Sequence, residues 1–367
     1  MKLRWSIAAF VCLLLLTFAG TQNILAAVVE PTGDREGKQD HRLIMDTLAS
    51  DGEVRLKSGK TYYIKKPLQI DSNQKLYAKG AKIICLESAF RSKVPTKDNY
   101  RSVKNITVDG GTWTHIQKEG TSGTMIQFAH GQNITVKNVK VSANYKGHGI
   151  ELIAVKDVVI DHCTVTPLGS CPADCHEEQI QIDIATPATA PAVASHGAHL
   201  VKGQVCENVT VKNCTVSGAR GICANFTLTE NGKYRNRFHK NIVIKNNLIQ
   251  GKTGEALALF NVMGAVVEGN QIITTNNKNE SYAAGLHIAM FGKAPAGMDS
   301  AVLRVKKNVI KGGSYGMLVF SNEPSSQFGK LDLQNNKCYA KAGRDKAYEI
   351  HYVKKVRDSN NKKYAWS

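Results

Sequence analysis

One eight-residue pattern of apolar and polar positions recurs along this chain. It runs apolar, polar, apolar, polar, then a polar or glycine pair, then a return to alternation. It reads Ile106-Thr-Val-Asp-Gly-Gly-Thr-Trp113, Ile134-Thr-Val-Lys-Asn-Val-Lys-Val141 and Val158-Val-Ile-Asp-His-Cys-Thr-Val165. Further copies start at Val209, Ile242, Ala265, Leu303 and Leu331, with a weaker one at Leu76 to Ile83. Successive starts lie 30, 28, 24, 51, 33, 23, 38 and 28 residues apart. The first half of each copy predicts a strand with one buried face. The pair that follows predicts a tight bend, because Asn and Gly tolerate left-handed backbone. A period of 25 to 30 residues suits three short strands per turn of a coil. One coil cannot bury its own apolar face, but stacked coils bury it together.

The sixth place of the pattern holds Asn247, Asn270, Asn308 and Asn336 in four successive copies. Stacking sets these about 4.8 Å apart, within amide hydrogen-bonding reach. The two preceding copies carry Cys163 and Cys214 there, placed for either a disulfide or two stacked thiols.

At this point the chain resembles the pectate-lyase-like superfamily of right-handed parallel β-helices, whose members carry such asparagine ladders. The resemblance spans nearly all of residues 30 to 353 and implies an all-β, single-stranded β-helical solenoid. Asp40-His-Arg-Leu-Ile-Met-Asp-Thr-Leu-Ala49 has helical spacing at Leu43, Ile44, Thr47 and Leu48. With Asp40 as N-cap, it predicts an N-terminal α-helix over about 40–50 that covers the open end of the stack. The coils then occupy about 52–353, followed by a polar C-terminal tail, in one domain spanning 28–367. The superfamily's polygalacturonase branch carries Asn-Thr-Asp, Asp-Asp, Gly-His-Gly and Arg-Ile-Lys in that order. Here Gly147-His148-Gly149 precedes the acidic coil and the other three strings are missing. The resemblance therefore implies a fold and a carbohydrate substrate, but no catalytic residue.

A second repeat lies between the copies, as in His148-Gly-Ile-Glu-Leu152, Glu178-Gln-Ile-Gln-Ile-Asp183, Arg220-Gly-Ile-Cys-Ala-Asn-Phe226 and Ala284-Gly-Leu-His-Ile288. Alternation turns Ile150, Leu152, Ile180, Ile182, Ile222, Leu286 and Ile288 inward. Gln127, Glu151, Gln181, Asp183, Cys223, Asn225 and His287 then point out. His148, Glu178, Arg220 and Glu255 stand at the strand entries. Titratable groups of both signs collect on this one face, and it is the candidate site. His162 and His239 are expected on the surface.

Composition refines this picture. Residues 1–27 have a basic start at Lys2 and Arg4, an apolar run from Ile7 and small residues at Ala26 and Ala27. They read as a secretory signal peptide, which makes the protein secreted, either extracellular or wall-associated. No later run is long enough to cross a bilayer. The formal charge of +18 favours polyanions, which outside a cell are uronic-acid polysaccharides, teichoic acids, anionic cell surfaces or stray nucleic acid. No nucleic-acid-binding motif occurs, and an acidic polysaccharide is the expected partner. Eight cysteines follow the leader, an even number that permits disulfides after export. The Cys171-Pro-Ala-Asp-Cys175-His176 run, with Cys206 downstream, is a weaker zinc candidate.

Hydrolysis of a glycosidic bond needs one protonated and one ionised carboxyl. Glu151, Asp183 and Glu255 are the candidates, with Asp183 first, a neighbouring Glu as the acid, and His148 and His287 orienting water or substrate. A β-eliminating lyase would instead use Arg220 as base and Ca²⁺ held by Glu151, Glu178 and Asp183. A non-catalytic glycan-binding β-helix is the third reading. Two insertions border the face: Ala185 to Cys206, and Thr227 to Lys240 with Lys233, Tyr234, Arg235 and Arg237. Long loops on a rigid scaffold shape clefts. With Gln127, Gln181, Asn225 and Tyr315, the cations and rings of the second insertion are the expected substrate contacts.

Overall fold

A computed structural model describes residues 28–116, 123–226, 236–276 and 283–367. The leader, and with it the expected signal peptide, lies outside them. Three parallel sheets of 12, 10 and 11 strands wind around one core. Each strand pairs with its counterpart one coil on, as Ile134 with Val158 and then Val209 in the first sheet. This is a right-handed parallel β-helix. The expected inward set, Ile150, Leu152, Ile180, Ile182, Ile222, Leu286 and Ile288, is buried at 1% exposure or less. Near the N-terminal end Phe90 sits edge-on to Trp113, with ring centroids 5.2 Å apart.

The bends follow a simple rule. The fifth place of the pattern is left-handed, with φ of 57° at Asn138, 55° at Asn213 and 55° at Asn246. The sixth place turns its side chain into the corner. Asn247 Nδ2 donates to Asn270 Oδ1 at 3.0 Å, Asn270 to Asn308 at 3.0 Å, Asn308 to Asn336 at 2.9 Å and Asn336 to Asn361 at 2.8 Å. Each amide also donates to a backbone carbonyl, Asn270 to that of Ile244 at 2.9 Å. Cys214 joins the ladder through its backbone N–H, which donates to Asn247 Oδ1. Cys163 and Cys214 are stacked thiols, and all eight described cysteines are unlinked.

Three expectations are corrected here. The first helix, α1, is Lys38–Asp51, and the residue before it is Gly37 in left-handed conformation. Asp34 covers its first N–H groups, accepting from Lys38 and Gln39. Asp40 is therefore not the N-cap. It lies within the first turn and accepts from Thr32 N–H at 2.7 Å and Tyr63 N–H at 2.9 Å, stapling α1 to the first coil. Ile44 and Leu48 face the core, whereas Leu43 is 37% exposed. The polar C-terminal tail is a further coil, because Val353–Ser359 and Lys362–Ala365 extend two of the sheets. As an end coil it has one neighbour, so its strands keep polar residues on faces that are apolar elsewhere. His162 is exposed, but His239 is completely buried. Its Nδ1 accepts the Cys206 N–H at 3.1 Å and its Nε2 donates to the Asn225 carbonyl at 2.9 Å. It fills a corner that an apolar side chain would leave with an unpaired N–H.

Candidate functional site

The 10-stranded sheet carries the site on its outer face. Register fixes the neighbours. Gln127 pairs with Glu151, Glu151 with Gln181, Gln181 with Cys223, Cys223 with Ala258 and Ala258 with His287. Glu178 pairs with Arg220 in the row at the strand entries. Ile153 pairs with Asp183 in a third row.

These rows make a ladder of alternating charge. The Arg220 guanidinium donates to Glu178 through Nη1 and to Glu255 through Nε at 2.9 Å. Its Nη2 donates to the Cys223 sulfur at 3.3 Å. On the far side of Glu255, His287 Nδ1 lies 2.9 Å from Oε1. Burial alone would raise the Glu255 carboxyl, but Arg220 and His287 outweigh it and hold it below its ordinary range. Burial works against the charge of Arg220 too, yet Cys223, Glu178 and Glu255 around it push its pKa upward. His148 Nδ1 donates to the Glu178 carbonyl at 2.7 Å, which fixes its ring.

Asp183 is different. It is fully buried, and its Oδ2 has no hydrogen-bond partner among the described residues. Asn225 Nδ2, at 3.2 Å, donates to its other oxygen. Burial first, then the charges of Glu151 and Glu178, raise its pKa well above the carboxylate range. The shift favours the neutral form of Asp183, whereas the expected acid was a Glu neighbouring it. The Ala185–Cys206 insertion covers the neighbouring part of the Asp183 row. Ala185, Val193, Leu200 and Val201 pack onto the outer-face residues Ala129 and Ile153. His130 Nε2 fastens the insertion by donating to the Leu200 carbonyl at 2.7 Å.

Beside this cover lies an open cleft of ≈ 530 Å³. Arg91, Lys146, His148, Glu151, Gln181, Asn225 and Phe226 line it, and the insertion supplies Thr189, Pro191 and Ala192 as a wall. The Glu151 carboxylate accepts from Gln127 at 2.6 Å and from Thr124 at 3.2 Å. A second cleft of ≈ 310 Å³ opens over His176, Arg220, Gly254 and Glu255. A third hollow, ≈ 350 Å³ on the 12-stranded sheet, is lined mostly by apolar residues and glycines, with Asn241, Ser300 and Arg304 as its polar side chains. It offers no chemistry comparable to the site.

The structure therefore brings together Glu151, Gln127, Gln181, Asn225 and His148 in one cleft, and Arg220, Glu255 and His287 beside it. Lys233, Tyr234 and Arg235 lie outside the described residues. Arg237 is exposed and lines neither cleft. Tyr315 falls in the strand-entry row beyond Glu255, with Lys346 Nζ 5.3 Å over its ring. Among the described residues no group of three or more His, Cys, Asp or Glu is placed to hold a metal ion, so neither the Ca²⁺ set nor the zinc candidate is assembled.

Sequence reasoning missed the aromatic half of the face. Phe226 and Phe291 are stacked with centroids 3.8 Å apart, and Phe260 stands edge-on to both. Phe320 stacks on His287 at 5.4 Å. Phe226 reaches the main cleft, which joins the rings to the carboxyl groups. The signal was present: Phe260 and Phe320 hold the same outward place on alternate coils, with Ala289 between them.

Residues 125–344 match the family described as right handed beta helix region. The chain belongs to this family. No curated protein matches it. Among solved structures it is similar to the surface protein and adhesin PfbA of Streptococcus pneumoniae, at 16% identity and a TM-score of 0.58, over 88% of this chain and 92% of that one. It is also similar to the endo-xylogalacturonan hydrolase of Aspergillus tubingensis, at 11% identity and a TM-score of 0.55, over 92% and 93%. The polygalacturonase of Erwinia carotovora ssp. carotovora aligns at 13% identity and a TM-score of 0.52, over 93% of each chain. At such identities the likeness is one of fold.

Proposed function

We propose that this protein is a secreted carbohydrate-active enzyme that hydrolyses glycosidic bonds in an acidic polysaccharide bound across the outer face of the 10-stranded sheet. The observation that carries the reading is the pairing of unlike carboxyls: Asp183, buried and with its pKa raised by that burial and by its acidic neighbours, and Glu151, a hydrogen-bonded acceptor in the cleft wall. Glycoside hydrolysis needs that division of roles. Glu151 activates water or attacks the sugar, and Asp183 supplies the proton. Gln127, Gln181 and Asn225 hold hydroxyl groups, Arg91 and Lys146 meet uronate carboxylates, and Phe226 offers a face for a sugar ring. The fold neighbours support the substrate class, since two of them are named as hydrolases of galacturonans.

The β-eliminating alternative draws no support from the geometry. Arg220 is clamped by two carboxylates that stabilise its charged form, the opposite of what a base needs. One observation favours a second reading, glycan binding without turnover. Asp183 is fully covered in the free protein, and one fold neighbour is an adhesin. A panel of acidic and neutral glycans, read by product mass, separates the two. Hydrolysis gives shortened chains heavier by one water per cut, whereas a binder leaves every chain intact while retaining it.

A further inference from the structure

Seven of the eight described cysteines are buried, and Cys175 alone of these lies in the same segment as the half-buried Cys171. They belong to the segment between the strands Thr164–Leu168 and Glu178–Asp183, after Gly169 turns the chain in left-handed conformation. Their sulfurs are 3.2 Å apart. Cys171 is half-buried, and the Cys175 sulfur is held between the Tyr145 carbonyl at 3.2 Å and Glu177 Oε2 at 3.0 Å. The segment ends at the site. Thr253 donates to the Cys175 carbonyl, and the next residue, His176, lines the cleft over Arg220 and Glu255.

We propose that Cys171 and Cys175 form a disulfide that fixes the Gly169–Glu177 segment and with it the His176 lip of the second cleft. Two sulfurs already in contact need about 1 Å of approach to reach bonding distance, within the play of a loop. The oxidant is a small-molecule or protein disulfide, of the kind met in oxidising compartments. The accessible Cys171 thiolate attacks one sulfur of that disulfide and expels a thiolate. The Cys175 thiolate then attacks the Cys171 sulfur and expels the second. Two electrons and two protons pass from the cysteine pair to the external disulfide, which is reduced to two thiols. Cys163 and Cys214 also stack closely, with the Cys163 N–H 3.3 Å from the Cys214 sulfur. They are at most 2% exposed, so no external oxidant reaches them in the folded protein.

The test is independent of any activity on glycans. The full-length secreted chain is equilibrated with oxidised glutathione, alkylated while folded, then cleaved after Leu168 and Glu177, which separates Cys171 and Cys175 from Cys163. The expected fragment 169–177 is lighter by two hydrogen atoms and takes up alkylating reagent only after reduction. The Cys163→Ser variant gives the same fragment. Hydrogen exchange of the segment slows on oxidation in the wild type and is unchanged in Cys171→Ser, whose far-ultraviolet circular dichroism reports that it still folds. Alkylation of both thiols after oxidation, a glutathione adduct persisting on Cys171, or a link from either residue to a third cysteine would each overturn the proposal.

Discussion

Arg220 Nε lies 2.9 Å from Glu255 Oε2, on the next coil, at a point where the Glu255 side chain is 2% and the Arg220 side chain 16% exposed. The same guanidinium serves Glu178 one coil earlier, so one cation compensates two buried anions. Removing one partner of a buried pair leaves uncompensated charge and costs about 3–5 kcal/mol. Arg220→Met is expected to lose stability of that order, measured by urea unfolding at neutral pH. Adding Glu178→Gln and Glu255→Gln to the variant should recover much of the loss. A variant within 1 kcal/mol of wild type would show that the ladder is solvated.

His239 gives the fold a pH dependence. Burial lowers its pKa from 6.5 to about 4, so the folded state holds it neutral. A group depressed in the folded state favours folding above its unfolded pKa, and that contribution is lost as pH falls through the folded value. The window is pH 6.5 down to about 4, and the full shift corresponds to about 3 kcal/mol. In His239→Gln the slope of unfolding free energy against pH in this window should fall by about one proton.

Asp183 has the opposite sign. Its folded pKa is raised from 3.8, so its charged form opposes folding and the penalty grows as pH rises from that value to the folded one. Asp183→Asn should therefore be more stable than wild type at pH 7 and nearly equal to it at pH 3.5, as read from urea midpoints. If Asp183 is also the proton donor, the same variant loses turnover while gaining stability.

Asn270 carries the asparagine ladder through a fully enclosed corner. Its Oδ1 accepts from both the backbone N–H and the Nδ2 of Asn247. Asn270→Ala strands those two donors, and at about 1–3 kcal/mol for each stranded donor the expected loss is roughly 3 kcal/mol. Asn361→Ala, on the exposed end coil, should cost less than half of that.

The repeat made most of the fold legible, because inward and outward residues alternate along each strand and one register serves every coil. Asn247 to Asn336 announced their ladder by recurring at one place in the pattern. Where a local signal had two physical solutions, the sequence was ambiguous. Asp40 could cap a helix or staple it, and the helix start at Lys38 with the contacts of Asp40 to Thr32 and Tyr63 decides. His239 resembled a surface group because its partner, the Cys206 N–H, lies 33 residues away. At the site, the outward placement of Glu151 and His287 was readable from parity, and that of Arg220 from its place at a strand entry. The burial of Asp183 was not, nor was the way Val193 and Leu200 of an insertion fold back onto Ile153, its neighbour in the same row.

The account rests on Glu151 acting on a substrate, and one comparison tests that directly. Wild type and Glu151→Gln are incubated with an acidic polysaccharide, and new reducing ends, absorbance near 235 nm and binding are followed together. The expected result is reducing ends without new absorbance in the wild type. In the variant, turnover is expected to fall by about two to four orders of magnitude, the range for a lost acid–base or nucleophilic group, with binding retained. Equal turnover in both proteins, or binding by both with no cleavage of any glycan, would contradict it.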